Sequence, residues 1–199
     1  MIFQTDNFDE IKMMKAESGV STEEGKRLAF LSSCVPQGGL IIEIGACQGV
    51  STAYIASVIR QKKLKIDFWS IDLWDLGKAL TPTKHWNSYK KYKRNIKGLG
   101  LWGYVNPIKI DSQEMAIKFA EKNRLIDFLF IDGGHKYEEV SADILSWSKY
   151  ISPGGAISLH DADHPKTPGV RKAISEHITD REWTDFEQTK SVFSARKRI

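Results

Sequence analysis

The sequence is short of cysteine, of long apolar runs and of surplus charge, and each lack removes a class of protein. Two cysteines, Cys34 and Cys47, cannot build the disulfide framework of a small secreted domain, so a reducing, cytoplasmic setting is expected. No apolar stretch approaches the ~20 residues that span a bilayer, and no membrane partner is expected. Met1-Ile2-Phe3-Gln4-Thr5-Asp6 has no basic region followed by an apolar one, so no signal peptide is expected either. A net charge of +4 is too small to argue for a nucleic-acid partner. Repeats, low-complexity segments and Pro/Ser linkers are also missing. The 199 residues therefore read as a single domain, 1–199, large enough to bury a full core.

What is present is organised around Leu40-Ile41-Ile42-Glu43-Ile44-Gly45-Ala46-Cys47-Gln48-Gly49-Val50-Ser51-Thr52. A continuous apolar run reads as a strand buried on both faces. It breaks at Gly45 and Gly49, and a helix pattern starts at Ser51. Glycines let backbone approach a ligand, and the free N–H groups of a helix start favour anionic groups. The third glycine that would complete the dinucleotide fingerprint G-x-G-x-x-G is missing. Glu43, two residues ahead of the first glycine, would repel a phosphate and suits a cationic ligand.

Glu43-Ile44-Gly45-Ala46-Cys47-Gln48-Gly49 resembles the first motif of the class I S-adenosylmethionine (SAM) methyltransferases. Ala46 and Ser51 are similar to the catechol-type O-methyltransferases, while Cys47 stands where a middle glycine is usual. The resemblance implies SAM held across Gly45, Ala46, Gly49 and Ser51, with Glu43 near its amino-acid end. It covers the chain from about residue 21 to its end.

The remaining pattern is that of a doubly wound α/β sheet. Residues 1–20 are an N-terminal extension or lid. Ser21-Thr22-Glu23-Glu24 fits a capping box, with Leu28, Leu31 and Val35 at helical spacing and Pro36 as the stop. Ile66 to Asp72 reads as the second strand, ending in an acid 23 positions after Gly49. In nucleoside-binding folds of this kind such an acid accepts ribose hydroxyls. Residues 76–104 form a long connection, in which Thr83 to Lys97 predicts a basic helix, either a solvated face or a means of steering an acidic substrate. Tyr104 to Ile110 predicts a third strand. Asp111 and Ser112 follow, as adenine contacts by the resemblance or as a helix cap by their chemistry. The fourth strand is Ile126 to Asp132 and the next helix Glu138 to Tyr150. Pro153-Gly154-Gly155 predicts a turn into a fifth strand, Ala156 to His160. Two short strands, 183–186 and 191–195, predict the antiparallel C-terminal end of the methyltransferase version of the fold. The sheet is expected to be Rossmann-like, with about seven strands and helices on both faces.

Asp132, Gly133, Gly134 and His135 close one strand and His160 and Asp161 close another, where open α/β sheets place their ligand crevice. In the metal-dependent O-methyltransferases, catechol-type and macrocin-type, these two corners bind Mg²⁺. By that resemblance Asp132 and Asp161 are ligands, and His160 replaces an acid. Since imidazole favours transition metals, Mn²⁺ is the alternative to Mg²⁺, or no metal at all. His135, three residues after Asp132, has the chemistry of a general base near neutral pH or simply caps the following helix. The expected function is SAM-dependent methylation of a hydroxyl on a small molecule or saccharide. A nicotinamide-dependent oxidoreductase, a protein or nucleic-acid methyltransferase and a non-catalytic SAM-binding module are the alternatives. The shortness of the chain leaves room for a second copy, as a homo-oligomer, to complete the acceptor pocket.

Overall fold

The computed structural model describes residues 8, 11, 19–74 and 88–199. In chain order the elements are α1 (Thr22–Ser33), β1 (Leu40–Ile44), α2 (Val50–Gln61), β2 (Asp67–Asp72), α3 (Ser88–Gly98), β3 (Asn106–Lys109) and α4 (Ser112–Ala120). There follow β4 (Ile126–Ile131), α5 (Tyr137–Trp147), β5 (Ile151–Leu159), α6 (Pro168–His177), β6 (Trp183–Thr189) and β7 (Val192–Lys197). The strands make one sheet in the order β3-β2-β1-β4-β5-β7-β6. The first five are parallel, and β7 runs antiparallel between β5 and β6. This is the mostly parallel, Rossmann-like sheet expected from the pattern, with seven strands and a reversed C-terminal strand.

Parity along β1 divides the core. Ile41 faces one layer, where Leu28, Tyr54, Tyr92 and Phe130 pack under α1, α2 and α3. Leu40, Ile42 and Ile44 face the other, with Phe119, Ile144, Trp147 and Ile174 under α4, α5 and α6. All of these side chains are at least nine-tenths buried. Since every residue of β1 is buried, the strand reads, apart from Glu43, as an apolar run without alternation.

Three boundaries depart from the sequence expectation. Pro153-Gly154-Gly155, expected as a turn, lie within β5: Ile126 pairs with Ile151 and Phe128 with Ala156, so the extra residues are absorbed as an irregularity of the ladder. The third strand is shorter than expected, because Trp102–Tyr104 is a 3-10 turn. The last two strands are longer than expected and meet in a tight turn at Lys190 and Ser191. The helix start expected at Thr83 and the suggested lid over residues 1–20 lie largely outside the described residues. Among the described residues, no helix is long and apolar enough to cross a membrane.

Candidate active site

At the C-terminal edge of β1 the chain turns back on the end of β4. Gly45 has φ 89°, and its N–H donates to the Ile71 carbonyl at 2.9 Å. A methyl group at this position would overlap the carbonyl oxygen of Asp132, so glycine alone fits both the angle and the space. Gly49, φ 88°, starts α2, and its N–H donates to the Ala46 carbonyl at 2.8 Å. Cys47 between them is also left-handed, at φ 46°, where a non-glycine residue is strained. Two bonds hold it there. Its N–H donates to Asp72 Oδ2 at 2.7 Å, and its carbonyl accepts from the Trp74 indole at 2.8 Å. The other oxygen of Asp72 accepts the Trp74 N–H. The acid closing β2 therefore fixes the spacing between that strand end and the glycine turn.

Glu43 does not face the crevice. It is on the Ile41 side of β1 and fully buried, and it accepts hydrogen bonds from Ser51 Oγ and Thr52 Oγ1 at 2.5 Å each and from Ser70 Oγ at 2.8 Å. The bonds clamp the first turn of α2 to β1 and β2, and they give Ser51 a role beneath the turn. Burial pushes the Glu43 carboxyl up to about 7, with the three hydroxyls opposing the shift. Its folded pKa thus lies above its ordinary 4.5. The stability it contributes is full below about pH 4.5 and is lost as pH rises through about 7. Glu43→Gln removes that loss. The variant is expected to match wild-type stability at pH 5 and to exceed it at pH 8 by on the order of 3 kcal/mol. Parallel pH profiles of thermal unfolding for the two proteins would contradict the assignment.

The second corner gathers five polar side chains from distant parts of the chain. His160 is buried at the end of β5. Its Nδ1 lies 3.3 Å from Asp132 Oδ1 and 3.5 Å from Asp161 Oδ1. Its Nε2 lies 3.3 Å from Ser191 Oγ and 3.7 Å from Glu24 Oε2. Burial opposes charge on this ring, but hydrogen bonds to Asp132, Asp161 and Glu24 outweigh it and hold His160 up to about 12. It is a buried imidazolium among three carboxylates. Glu24 does more than close the capping box of α1: its Oε1 also accepts from the Ser191 N–H at 2.9 Å and the Ser191 hydroxyl at 2.6 Å.

His135 stands on the open side, 48% exposed, with Nε2 2.7 Å from Asp161 Oδ2. That hydrogen bond raises the pKa of His135 and lowers that of Asp161. The ligating atoms of Asp132, His135 and Asp161 all lie within 4.8 Å of one another. His160, expected as a ligand from sequence, sits behind the two acids, and His135 joins them in front. Asp111 and Ser112 make the contacts of a helix start. Asp111 Oδ1 accepts from the Gln113 and Glu114 N–H groups at 2.9 and 3.2 Å, and Ser112 Oγ donates to Asp143 at 2.5 Å. Asp143, buried in α5 and pushed up to about 6 by burial, also accepts from Gln113 Nε2 at 2.7 Å. Sequence reading missed Glu24, Ser191 and Asp143. For Glu24 the signal was at hand, since a capping-box acid that packs against the sheet has to find further partners.

Residues 42–162 match a protein-family model described as a methyltransferase domain, well over half of the chain. The chain belongs to that methyltransferase family. The match displaces the nicotinamide reading of the glycine turn. A viral protein of Acanthamoeba polyphaga mimivirus is 39% identical to this methyltransferase over 56 residues, which is 28% of the chain and only 25% of the viral protein. Among solved structures, the O-methyltransferase TomG from Streptomyces achromogenes, involved in tomaymycin synthesis and in complex with SAM, superposes with TM-score 0.71 at 16% identity. That superposition covers 100% of the methyltransferase and 92% of TomG. An O-methyltransferase from Bacillus cereus in complex with SAH gives TM-score 0.67 at 18% identity, covering 99% and 93%. At such identities the likeness is one of fold.

Proposed function

We propose that this methyltransferase moves the methyl group of SAM to a hydroxyl of a small molecule or a saccharide, with His135 as general base. The observation that carries the reading is the His135–Asp161 pair beside Asp132, at the strand ends facing the glycine turn. The two solved structures above are named as O-methyltransferases and were obtained with SAM or SAH, which supports the choice of cofactor and acceptor atom. SAM, when bound, supplies an electrophilic methyl group that an acceptor oxygen takes in a single displacement. Gly45, Ala46 and Gly49 keep the turn thin enough for close approach. To Asp72, the acid at the end of β2 that is tied to Cys47, we assign the ribose hydroxyls. Glu43, through Ser51 and Thr52, supports the cradle from beneath, while Asp111 and Ser112 cap α4.

Deprotonating the acceptor falls to His135. Asp161 engages Nε2, which fixes the hydrogen on that nitrogen and leaves Nδ1 as the basic one. The His160 imidazolium offsets the charge of Asp132 and Asp161 from behind, so the two acids can lie close together without a net repulsion that would open the site. Two carboxylates and an imidazole also fit a divalent ion, and that donor set suits Mn²⁺ better than Mg²⁺. Such an ion would act as a Lewis acid on the acceptor oxygen. A bound ion and the base role are competing uses of His135.

The test is transfer of label from methyl-tritiated SAM to a panel of phenols, catechols and sugars, assayed with and without Mn²⁺. Label on oxygen in one of these classes is expected. Label appearing only on amines or on protein would sink the hydroxyl reading.

A further inference from the structure

The net charge of +4 conceals a marked asymmetry. None of the 25 acids lies in the 35 residues from Leu76 to Ile110, which carry eight of the 29 basic residues. Arg60, Lys62, Lys63 and Lys65 add a second acid-free cluster. The fold brings Arg60 and the described part of the first stretch, residues 88–110, together beside the open β3 edge of the sheet. Arg60 at the end of α2 donates to the Leu99 carbonyl just past α3 at 2.7 Å. Lys109, at the end of β3, lies over the Tyr89 ring at the start of α3, 5.9 Å from its centroid.

In α3 the buried residues are Ser88, Tyr92 and Ile96. Lys90, Lys93, Arg94 and Lys97 recur at helical spacing on the opposite side and are exposed. Among the described residues, no carboxylate lies within ion-pair distance of these four. Beside the stripe lies a half-buried aromatic ring, Trp102, with Lys93 and Lys97 ammonium groups 5.9 and 5.2 Å from its centroid. Tyr104, 38% exposed, is next to it in the same turn.

We propose that this edge, formed by α3 and the Trp102–Tyr104 turn, is a docking surface for single-stranded nucleic acid. A line of cations tracks a phosphate backbone, and adjacent aromatic rings take up bases without regard to sequence. The other polyanions fit less well. Among the described residues, α3 itself presents no aliphatic side chain that would hold it in a membrane surface, because its apolar side is spent on the core. Its described residues are mainly cationic, unlike the apolar centre of a protein–protein interface. The cationic stripe is on the side of α3 away from the glycine turn, which α3 meets through Tyr92, Asn95 and Ile96, and the proposal does not depend on the assignment of the acceptor.

The experiment is fluorescence anisotropy of a labelled 15-nucleotide oligouridine with the full chain, across a salt series from about 50 mM. Micromolar binding is expected at the lowest salt, with a log–log slope near −3, as ~0.7 per phosphate for about four contacts requires. The variant K90E/K93E/R94E/K97E should bind at least ~100-fold more weakly, with unchanged circular dichroism and unchanged SAM affinity by calorimetry. Reversing Lys26, Lys149, Lys166 and Lys172 by the same number of charges should change binding by less than ~5-fold, because those positions are on α1, at the start of β5, and before or on α6, away from the β3 edge. Trp102→Ala should weaken oligouridine by ~5-fold or more while sparing any residual affinity for polyglutamate. Absence of saturable binding, equal loss in the remote variant, or equal affinity for polyglutamate or phosphatidylserine vesicles would each overturn the proposal.

Discussion

Gly45→Ala is expected to destabilise the protein by on the order of 4 kcal/mol, enough to abolish SAM binding with it. Two costs combine at this residue. The left-handed backbone, φ 89°, costs a side chain roughly 1–2 kcal/mol. The new methyl group would also overlap the Asp132 carbonyl, and that oxygen belongs to the backbone and cannot rotate away. Relief requires the ends of β1 and β4 to part, yet they are tied by the Asp132 N–H bond to the Ile44 carbonyl at 2.8 Å. Urea midpoints for wild type and variant measure the cost directly. A variant within about 1 kcal/mol of wild type would show that the two strand ends are not held as close as described.

His135→Ala should lower methyl transfer by roughly 10²–10⁴-fold, with SAM affinity within error of wild type. The ring is 48% exposed, and its main partner, Asp161, remains bonded to Thr167 through its backbone carbonyl and faces His160 with its other oxygen. Removing it therefore leaves the fold intact, and the loss reports on chemistry. The measurement is single-turnover transfer at saturating SAM, once an acceptor has been found, alongside calorimetric SAM affinity. Full turnover with intact SAM binding would remove His135 from the mechanism.

The strand ends were legible in the sequence because parallel strands put long apolar runs before their acids. Gly45, Asp72, Asp132 and Asp161 could be placed from those runs alone. What sequence could not supply was orientation. Whether Glu43 faces the ligand or the underside of α2 is decided by strand parity and by three hydroxyls, two of them on the helix it clamps. Likewise His160 reads as a ligand when seen only next to Asp161. Its burial against Glu24 and Ser191, 136 and 31 positions away, is a product of sheet order. The irregular start of β5 was hidden because Pro153-Gly154-Gly155 carries turn chemistry, and the ladder to β4 tolerates it as an irregular pairing. Net charge, finally, averaged away the contrast between the β3 edge and the remainder of the surface.

The most direct test of the central claim is calorimetric titration of the purified protein with SAM and, separately, with NADH. Micromolar binding of SAM, no heat with NADH, and loss of the SAM signal in Asp72→Ala are predicted. Binding of NADH, or of neither ligand by a folded protein, would contradict it.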